Sequence, residues 1–279
     1  MKRKINKKQL ISAVKELVLK ASFDLDPKVE RLLKKAEKEE TSLEGKLALQ
    51  IILENIKIAR AKKLPICQDT GLSVFFVELG REMELNFDLE DAIDQAVREA
   101  TKQGYLRKSV ADPLSRENTG DNTPAIVHIK LTPGNRIKIH LLIKGAGSEN
   151  KSQVQMLTPA DGIDGIKKVV IETVEKAGGQ ACPPIFIGIG IGGDLEVCAL
   201  LAKKALTRLV GTRSRDKEMA RLEKEIMREV NQLGIGLAGL GGKCTCLSVA
   251  AEKALGHIAS LAVAVNLQCW AHRGGELEL

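Results

Sequence analysis

The chain has 279 residues, of which 44% are hydrophobic and 28% charged, and its formal net charge is +7. This hydrophobic fraction supports a folded core, and only 3% of the residues are aromatic, so we expect that core to be aliphatic. A single Trp and a single Tyr leave no basic stripe interleaved with stacking aromatics, which argues against a nucleic-acid partner. No apolar run is long enough to span a membrane, and no signal peptide follows the basic start. Six cysteines without an export signal therefore favour reduced thiols in the cytoplasm.

The first sixty residues show helical periodicity. Apolar residues between Leu10 and Val18 share one face of a helix. Asp26-Pro27 is typical of an N-cap followed by proline at the first helical position, and Thr41-x-x-Glu44 is a capping box before a periodic run. These signals predict three helices, the last ending near Lys62.

The next segment predicts a strand, a helix and a long loop. Ser73 to Leu79 is the strand, and Asp88 caps a helix that Gly104 ends. Residues 105–124 form a polar loop, and a loop of this length inside a compact domain is usually functional or disordered. Its charged residues favour function.

Two alternating segments follow the loop. Ala125–Leu131 and Arg136–Lys144 flank Pro133-Gly-Asn135, which predicts a β-hairpin. The second strand leads into Lys144-Gly-Ala-Gly-Ser-Glu-Asn150, which we expect to be a polar glycine loop.

The remaining chain combines helices with apolar strands. We expect strands at residues 185–193 and 261–267, with helices near 162–177, 194–210 and 216–233. Helices and strands do not alternate as regular βαβ units, so the pattern predicts a helix-rich α+β fold with a largely antiparallel sheet. We expect one domain over residues 1–279, with a helical part over 1–62 and an α+β part over 63–279.

The run Gly188-x-Gly190-x-Gly192-Gly193 resembles a dinucleotide-binding fingerprint. Its last glycines are too close together, and no acidic residue ends a second strand about twenty residues later. We therefore interpret these glycines as sites of tight backbone packing. The alternative is that they let backbone N–H groups approach an anion at the start of the helix predicted near 194–210.

Three of the six cysteines have unusual neighbours. Cys67 precedes Gln68-Asp69, Cys182 precedes Pro183-Pro184, and Cys269 precedes Trp270-Ala-His272-Arg273. Three isolated thiols that the fold brings together would leave one metal position open for substrate. The other three fit a different interpretation. Cys198 lies on an apolar helix face. Cys244 and Cys246 could be ligands, but we favour a role as core or near-site thiols.

Three polar residues allow both a functional and a structural interpretation. Asp69 can act as an acid or base beside a metal ligand, or its side chain can form an Asx turn with Thr70-Gly71. Arg107 has the planar guanidinium that suits a carboxylate, although a surface ion pair is the simpler role. His257 is equally compatible with an ordinary side chain and with a functional one.

Taken together, the motifs resemble the class I, iron–sulfur fumarate hydratases and the related L-tartrate dehydratases. The resemblance covers nearly the whole chain after the N-terminal helices. It rests on these segments, in order: Pro65-Ile-Cys-Gln-Asp-Thr-Gly71, Ser109-Val-x-Asp-Pro113, Asn118-Thr-Gly-Asp-Asn-Thr-Pro124, Lys144-Gly-x-Gly-Ser-Glu-Asn150, Cys182-Pro-Pro184, Gly188-x-Gly-x-Gly-Gly193, His257-Ile-Ala-x-Leu261 and Val263-Ala-Val-Asn-x-Gln-Cys-Trp-Ala271.

The resemblance implies a [4Fe-4S] cluster with one iron free for substrate. The matching ligand positions are Cys67, Cys182 and Cys269, the set already selected from local context. The matching positions in the substrate pocket are Gln68, Asp69, Arg107, Gly145, Ala146, Gly147 and His257. Among these, Asp69 is the candidate acid–base group. The resemblance thus implies a single catalytic domain over residues 1–279, with the cluster bound by the part over 63–279.

The resemblance also implies a partner. Nothing in this chain matches the further C-terminal domain of single-chain members, so the chain resembles an α subunit that works with a separate β subunit, as α2β2. The implied reaction is the reversible hydration of fumarate to malate by a hydro-lyase. The alternatives are dehydration of L-tartrate to oxaloacetate, and a non-catalytic iron–sulfur or zinc protein.

Overall fold

The computed structural model describes residues 3–279 and has a helix-rich α+β fold with mostly antiparallel sheets, as predicted. The helices in the described residues are Lys7–Phe23 (α1), Pro27–Glu39 (α2), Leu43–Lys62 (α3), Leu89–Gln103 (α4), Ala146–Glu149 (α5), Gly162–Ala177 (α6), Leu195–Ala205 (α7) and Lys217–Gln232 (α8). The strands are Arg3–Lys4 (β1), Leu72–Gly80 (β2), Met83–Glu84 (β3), Ile126–Thr132 (β4), Ile137–Lys144 (β5), Gln153–Leu157 (β6), Ile185–Gly192 (β7), Cys246–Ala254 (β8), Leu261–Gln268 (β9) and Arg273–Glu278 (β10).

Most of the predicted helix boundaries are confirmed. Helix α2 begins at Pro27, and α3 ends at Lys62. At the start of α4, the Asp88 side chain accepts a hydrogen bond of 2.9 Å from the N–H of Asp91, and Gly104 follows the last turn. These ends are set by local chemistry, because a side-chain acceptor satisfies backbone donors that have no partner within the helix.

The predicted cap of α3 is wrong by one residue. Ser42, not Thr41, accepts the hydrogen bond from the N–H of Gly45, at 2.9 Å. The Thr41 N–H instead donates to the Glu40 carboxylate at 2.8 Å. The polar loop expected after β5 is also partly wrong, because its residues 146–149 form the single turn α5.

The predicted β-hairpin does not form. Strands β4 and β5 both pair with β2, which lies between them: β4 runs parallel to β2 and β5 antiparallel. Five consecutive residues of β2 are buried. A strand this apolar is more stable in the interior of the sheet, whereas the more exposed β4 occupies an edge.

The chain divides into two compact units. Unit 1 contains the chain up to Asp26, residues 55–145 and residues 273–279, and unit 2 contains residues 27–54 and 146–272. None of these boundaries coincides with residue 62, and the single catalytic domain stays a prediction.

Unit 1 is built on the sheet β10-β5-β2-β4. Its core is aliphatic apart from Phe75, and it joins the inner faces of β2 and β5 to α1 and α4. The short strands β1 and β3 form a separate parallel pair in the same unit.

Unit 2 is built on the sheet β6-β9-β7-β8, with helices on both faces. Because side chains alternate along a strand, β7 presents Ile185, Ile187, Ile189 and Ile191 to the core with α6 and α8. Its glycines lie on the opposite face.

These glycines are required by the close approach of α7. A Cβ at Gly188 would lie 2.1 Å from the carbonyl oxygen of Ala202, and one at Gly190 would lie 1.9 Å from that of Cys198. Any larger residue would force the helix away from the sheet. The packing interpretation of the glycine run is therefore confirmed.

No helix in residues 3–279 combines the length and the apolar character needed to cross a membrane.

A buried carboxylate connects α2 to a distant loop of unit 2. Glu40 is only 6% exposed, and it accepts hydrogen bonds from the N–H groups of Thr41, Ser42 and Lys243 at 2.8 to 3.0 Å. Burial by itself would raise the pKa of Glu40, but the backbone donors outweigh it and hold the pKa below its ordinary value of 4.5.

We expect Glu40→Gln to lower the free energy of unfolding by about 2 kcal/mol at neutral pH, because it weakens three charge-assisted hydrogen bonds. Since the folded-state pKa is depressed, this stabilisation is complete above the ordinary pKa and is lost as the pH falls through the folded-state pKa. Urea unfolding of the wild type and the variant at several pH values measures this. The matched control is Glu39→Gln, whose side chain is 64% exposed and should change the free energy by less than about 0.5 kcal/mol. Equal losses for both variants would contradict the assignment.

Candidate functional site

The segment from Cys67 to Gly71 lies beside the end of β5 within unit 1. The β2–β5 register pairs Leu72 with Lys144 and so fixes this position. Gly71 has φ +77°, and a Cβ there would lie 2.6 Å from the carbonyl oxygen of Lys144. A glycine is therefore needed here for two reasons, the backbone conformation and the close approach.

Asp69 is held by the turn that the sequence suggested as its structural role. Its Oδ1 accepts a hydrogen bond of 3.1 Å from the N–H of Gly71, which is an Asx turn. Its Oδ2 lies 3.1 Å from the position that a Cβ on Gly145 would take. The turn involves one carboxylate oxygen and directs the other toward Gly145, so the structural role is compatible with a chemical one.

The long polar loop is fastened to the same segment. The Thr70 hydroxyl accepts from the N–H of Arg107 at 2.9 Å and donates to its carbonyl at 3.2 Å. The Asn122 side chain accepts from the N–H of Ser109 at 2.8 Å and donates to the carbonyl of Gly71 at 3.2 Å. The backbone at Arg107 is thus fixed while its side chain is exposed.

Unit 1 therefore brings together five of the predicted residues. Asp69 lies directly beside Gly145, Thr70 ties Arg107 to the same segment, and Cys67 and Gln68 precede Asp69 in the chain. The side chain of Gln68 accepts a hydrogen bond of 3.2 Å from the Cys67 thiol. Thr70 and Asn122 were missed as supporting residues, although both lie inside motifs quoted for the family resemblance.

Unit 2 places Cys182 and Cys269 at one end of its sheet. The antiparallel pairing of β7 with β9 matches Phe186 with Gln268, and the N–H of Trp270 donates to the carbonyl of Cys182 at 3.2 Å. Cys182 is exposed and has φ 54° and ψ 61°, the left-handed region that non-glycine residues rarely occupy. A strained backbone of this kind is concentrated at functional sites.

Ala146 and Gly147 lie at the same end of unit 2. They begin α5, and a Cβ at Gly147 would lie 3.4 Å from the carbonyl oxygen of Gln180 in the turn before Cys182. Glu149, in the same short helix, accepts a hydrogen bond of 3.0 Å from the side chain of Asn266 on β9.

His257 lies at the opposite end of the sheet. It is in the turn between β8 and β9, where its Nδ1 accepts a hydrogen bond of 3.1 Å from the N–H of Ala259. The eight residues of β7 span about 23 Å. Unit 2 therefore does not bring His257 to Cys182 and Cys269, and its pocket role stays a prediction.

The six cysteines fall into two groups by environment. Cys182 is exposed, and Cys67 and Cys269 are partly exposed, whereas Cys198 and Cys246 are buried. Burial, with the nearby charges of Glu40 and Glu39, raises the pKa of Cys244 to about 12, and burial likewise raises the pKa of Cys246 and Cys198. Since a metal ligand must be a thiolate, the raised pKa values count against Cys198, Cys244 and Cys246 as metal ligands.

The three predicted ligands belong to different units, with Cys67 in unit 1 and the other two in unit 2. Within residues 3–279, no three His, Cys, Asp or Glu side chains are grouped as a metal site. The three-cysteine set therefore stays a prediction, supported by the chemistry of its donors.

The chain is similar to proteins of one family throughout its length. The family model described as "Fumarate hydratase (Fumerase)" matches residues 11–278. A protein of Methanocaldococcus jannaschii named "Putative L(+)-tartrate dehydratase subunit alpha" is 44% identical over 272 residues, which is 95% of each chain. Proteins of Escherichia coli and Shigella boydii named "L(+)-tartrate dehydratase subunit alpha" are each 33% identical, over 98% of this chain and 93% and 92% of their own lengths.

Two alanine substitutions, at Gly71 and at Gly120, separate the effect of the close approach at Gly71 from the effect of its backbone conformation. Gly71→Ala should lower the free energy of unfolding by about 3 kcal/mol, because the new Cβ would meet the Lys144 carbonyl oxygen. Gly120 has a similar φ of +83° but nothing within 4 Å of its Cβ position. Gly120→Ala should therefore cost only about 1 kcal/mol. Denaturant unfolding measures both, and equal values would show that the contact between Gly71 and β5 is unimportant.

Proposed function

Because this chain belongs to the fumarate hydratase family, which includes the tartrate dehydratase α subunits, we propose that it is the α subunit of a hydro-lyase acting on a four-carbon dicarboxylate. The first candidate reaction is the reversible hydration of fumarate to malate. The observation that carries the proposal is the family match over residues 11–278. The arrangement of Asp69 beside Gly145 and the fastened backbone at Arg107 supports it.

The proposed chemistry of this chain centres on Asp69. Water addition needs one proton moved to carbon and one removed from water, so a positioned carboxylate is a suitable acid–base group. One oxygen of Asp69 is anchored by Gly71, which limits rotation of the group. The exposed guanidinium of Arg107 suits a substrate carboxylate. The family resemblance implies the other substrate-binding residues of this chain, which are Gln68, Gly145, Ala146, Gly147 and His257.

We propose that Cys67, Cys182 and Cys269 hold a [4Fe-4S] cluster. When bound, a cluster with three protein ligands supplies a Lewis-acidic iron that helps a hydroxyl group leave. These three cysteines are exposed or partly exposed, whereas Cys198 and Cys246 are buried and the pKa of Cys244 is raised to about 12. We also propose a reducing compartment, the cytoplasm, in which six cysteines serve a metal site better than disulfides.

A second chain is part of the proposal. The similar proteins are named as α subunits, so we propose a β subunit as partner, in an α2β2 assembly. The β subunit would supply the remaining groups that bind the substrate.

The second candidate substrate is L-tartrate, which the names of the similar proteins favour. Tartrate differs from malate by one hydroxyl group, and its dehydration to oxaloacetate can use the same acid–base group. None of the residues named here distinguishes the two substrates.

We expect the protein purified without oxygen to be brown, with a visible absorbance that air bleaches. Cys67→Ala, Cys182→Ala and Cys269→Ala should each strongly reduce bound iron and sulfide, because each removes one of three ligands. Cys198→Ala is the matched control, since Cys198 is buried on α7, and it should retain the cluster. A colourless zinc-containing wild type would contradict the proposal and favour the non-catalytic alternative.

We expect the α chain co-expressed with its β chain to convert fumarate or L-tartrate, whereas the isolated α chain is nearly inactive. Product formation from both substrates, measured without oxygen, compares their kcat/KM values. A ratio above about tenfold, equivalent to ~1.4 kcal/mol in transition-state binding, assigns the substrate. No turnover of either substrate by a complex that holds its cluster would refute the proposed function.

A further inference from the structure

Arg273 is a buried charged residue outside the set considered so far. It begins β10, where it pairs with Ile143 of β5. It is 1% exposed and is the largest of the fully buried side chains in the described residues. A buried guanidinium is costly unless an opposite charge or several acceptors stabilise it, so its surroundings need an explanation.

The guanidinium lies close to the candidate acid–base group. A Cβ built on Gly145 would lie 3.6 Å from Nη2 of Arg273 and 3.1 Å from Oδ2 of Asp69. The cation and the carboxylate therefore face the same glycine, at the end of β5. A Cβ at that position would contact both groups.

The other nitrogens of Arg273 are not used by structural hydrogen bonds. Within residues 3–279, its Nε and Nη1 are buried and have no hydrogen-bond partner. An arginine that only braced the sheet would be expected to donate these groups to backbone carbonyls. The placement of Arg273 is better explained by its charge next to Asp69.

We propose that Arg273 is a positioning residue that holds the Asp69 carboxylate against Gly145. The Gly71 N–H fixes Oδ1, and the Arg273 charge attracts Oδ2, so the carboxylate is restrained at both oxygens. Arg273 itself is too buried to touch a substrate. This inference rests on the proposed acid–base role of Asp69.

The test compares Arg273→Lys and Arg273→Met in the complex of α and β chains, purified without oxygen. Since small misplacements of a catalytic group can reduce turnover about 100-fold, we expect kcat to fall about tenfold for Arg273→Lys and about 100-fold for Arg273→Met. KM should change less than about twofold, and the visible absorbance should be retained. An unchanged kcat, or a raised KM with an unchanged kcat, would overturn the proposal.

Two further comparisons exclude a purely structural role. Arg136→Met is the matched control, because Arg136 pairs with Glu278 between the same two strands but is 71% exposed; its kcat should equal that of the wild type. In the Asp69→Asn background, adding Arg273→Met should not lower kcat further. If the two substitutions instead lower kcat independently, so that their fold-changes multiply, Arg273 acts on a group other than Asp69. If Arg273→Met does not fold, Arg273→Lys replaces it in both comparisons, the one with the control variant and the one in the Asp69→Asn background.

A crystal structure of the Arg273→Lys complex separates this inference from the proposed function. We expect Oδ2 of Asp69 to turn away from Gly145 while Oδ1 stays bonded to the N–H of Gly71. An unmoved carboxylate would refute the positioning role, even if the complex is an active hydro-lyase. If the wild-type complex converts neither substrate, the proposed function fails, and the crystal structure still decides whether Arg273 holds Asp69.

Discussion

The register of a few antiparallel strand pairs determines where the candidate site residues lie. In unit 1, β5 pairs with β2 on one side and with β10 on the other, so Leu72 lies opposite Lys144 and Arg273 opposite Ile143. For this reason, three segments that are far apart in the chain meet at the same end of these neighbouring strands. In unit 2, the pairing of Phe186 with Gln268 does the same for two cysteine-bearing loops. A slip of one residue in any of these pairs would reverse the direction of the side chains.

Around these strand ends, rigid elements support the exposed side chains. In β7, isoleucines face one helical layer and glycines allow α7 to approach the other face, which leaves little freedom for the strand to shift. The Thr70 hydroxyl and the Asn122 amide then tie the long loop to the start of β2. Chemistry-bearing residues on loops are useful only when a scaffold holds them in this way, and here the scaffold consists mainly of backbone hydrogen bonds.

Local features were predictable from the sequence, and non-local ones were not. Caps such as Asp88 and the proline start of α2 depend on neighbouring residues, so the sequence predicted them correctly. The hairpin prediction failed because periodicity shows which residues form a strand but not which strand lies beside it. Arg273 was missed for a similar reason: its short strand contains two glycines, and its burial follows from pairing with β5. Context around the cysteines separated the exposed Cys182 from the buried Cys198 and Cys246. It did not separate Cys244, which is partly exposed like Cys67 and Cys269.

The left-handed backbone at Cys182 also affects how readily its thiol is oxidised. Its conformation follows the turn at residues 178–181 and leads into β7, so folding of unit 2 alone presents the thiol to solvent. Among the six cysteines, all of them in the described residues, Cys182 is the exposed one, so peroxide and electrophiles reach it more easily than the partly or fully buried others. The exposure that suits Cys182 to the proposed ligand role would also leave its thiol open to oxidation whenever no cluster is bound.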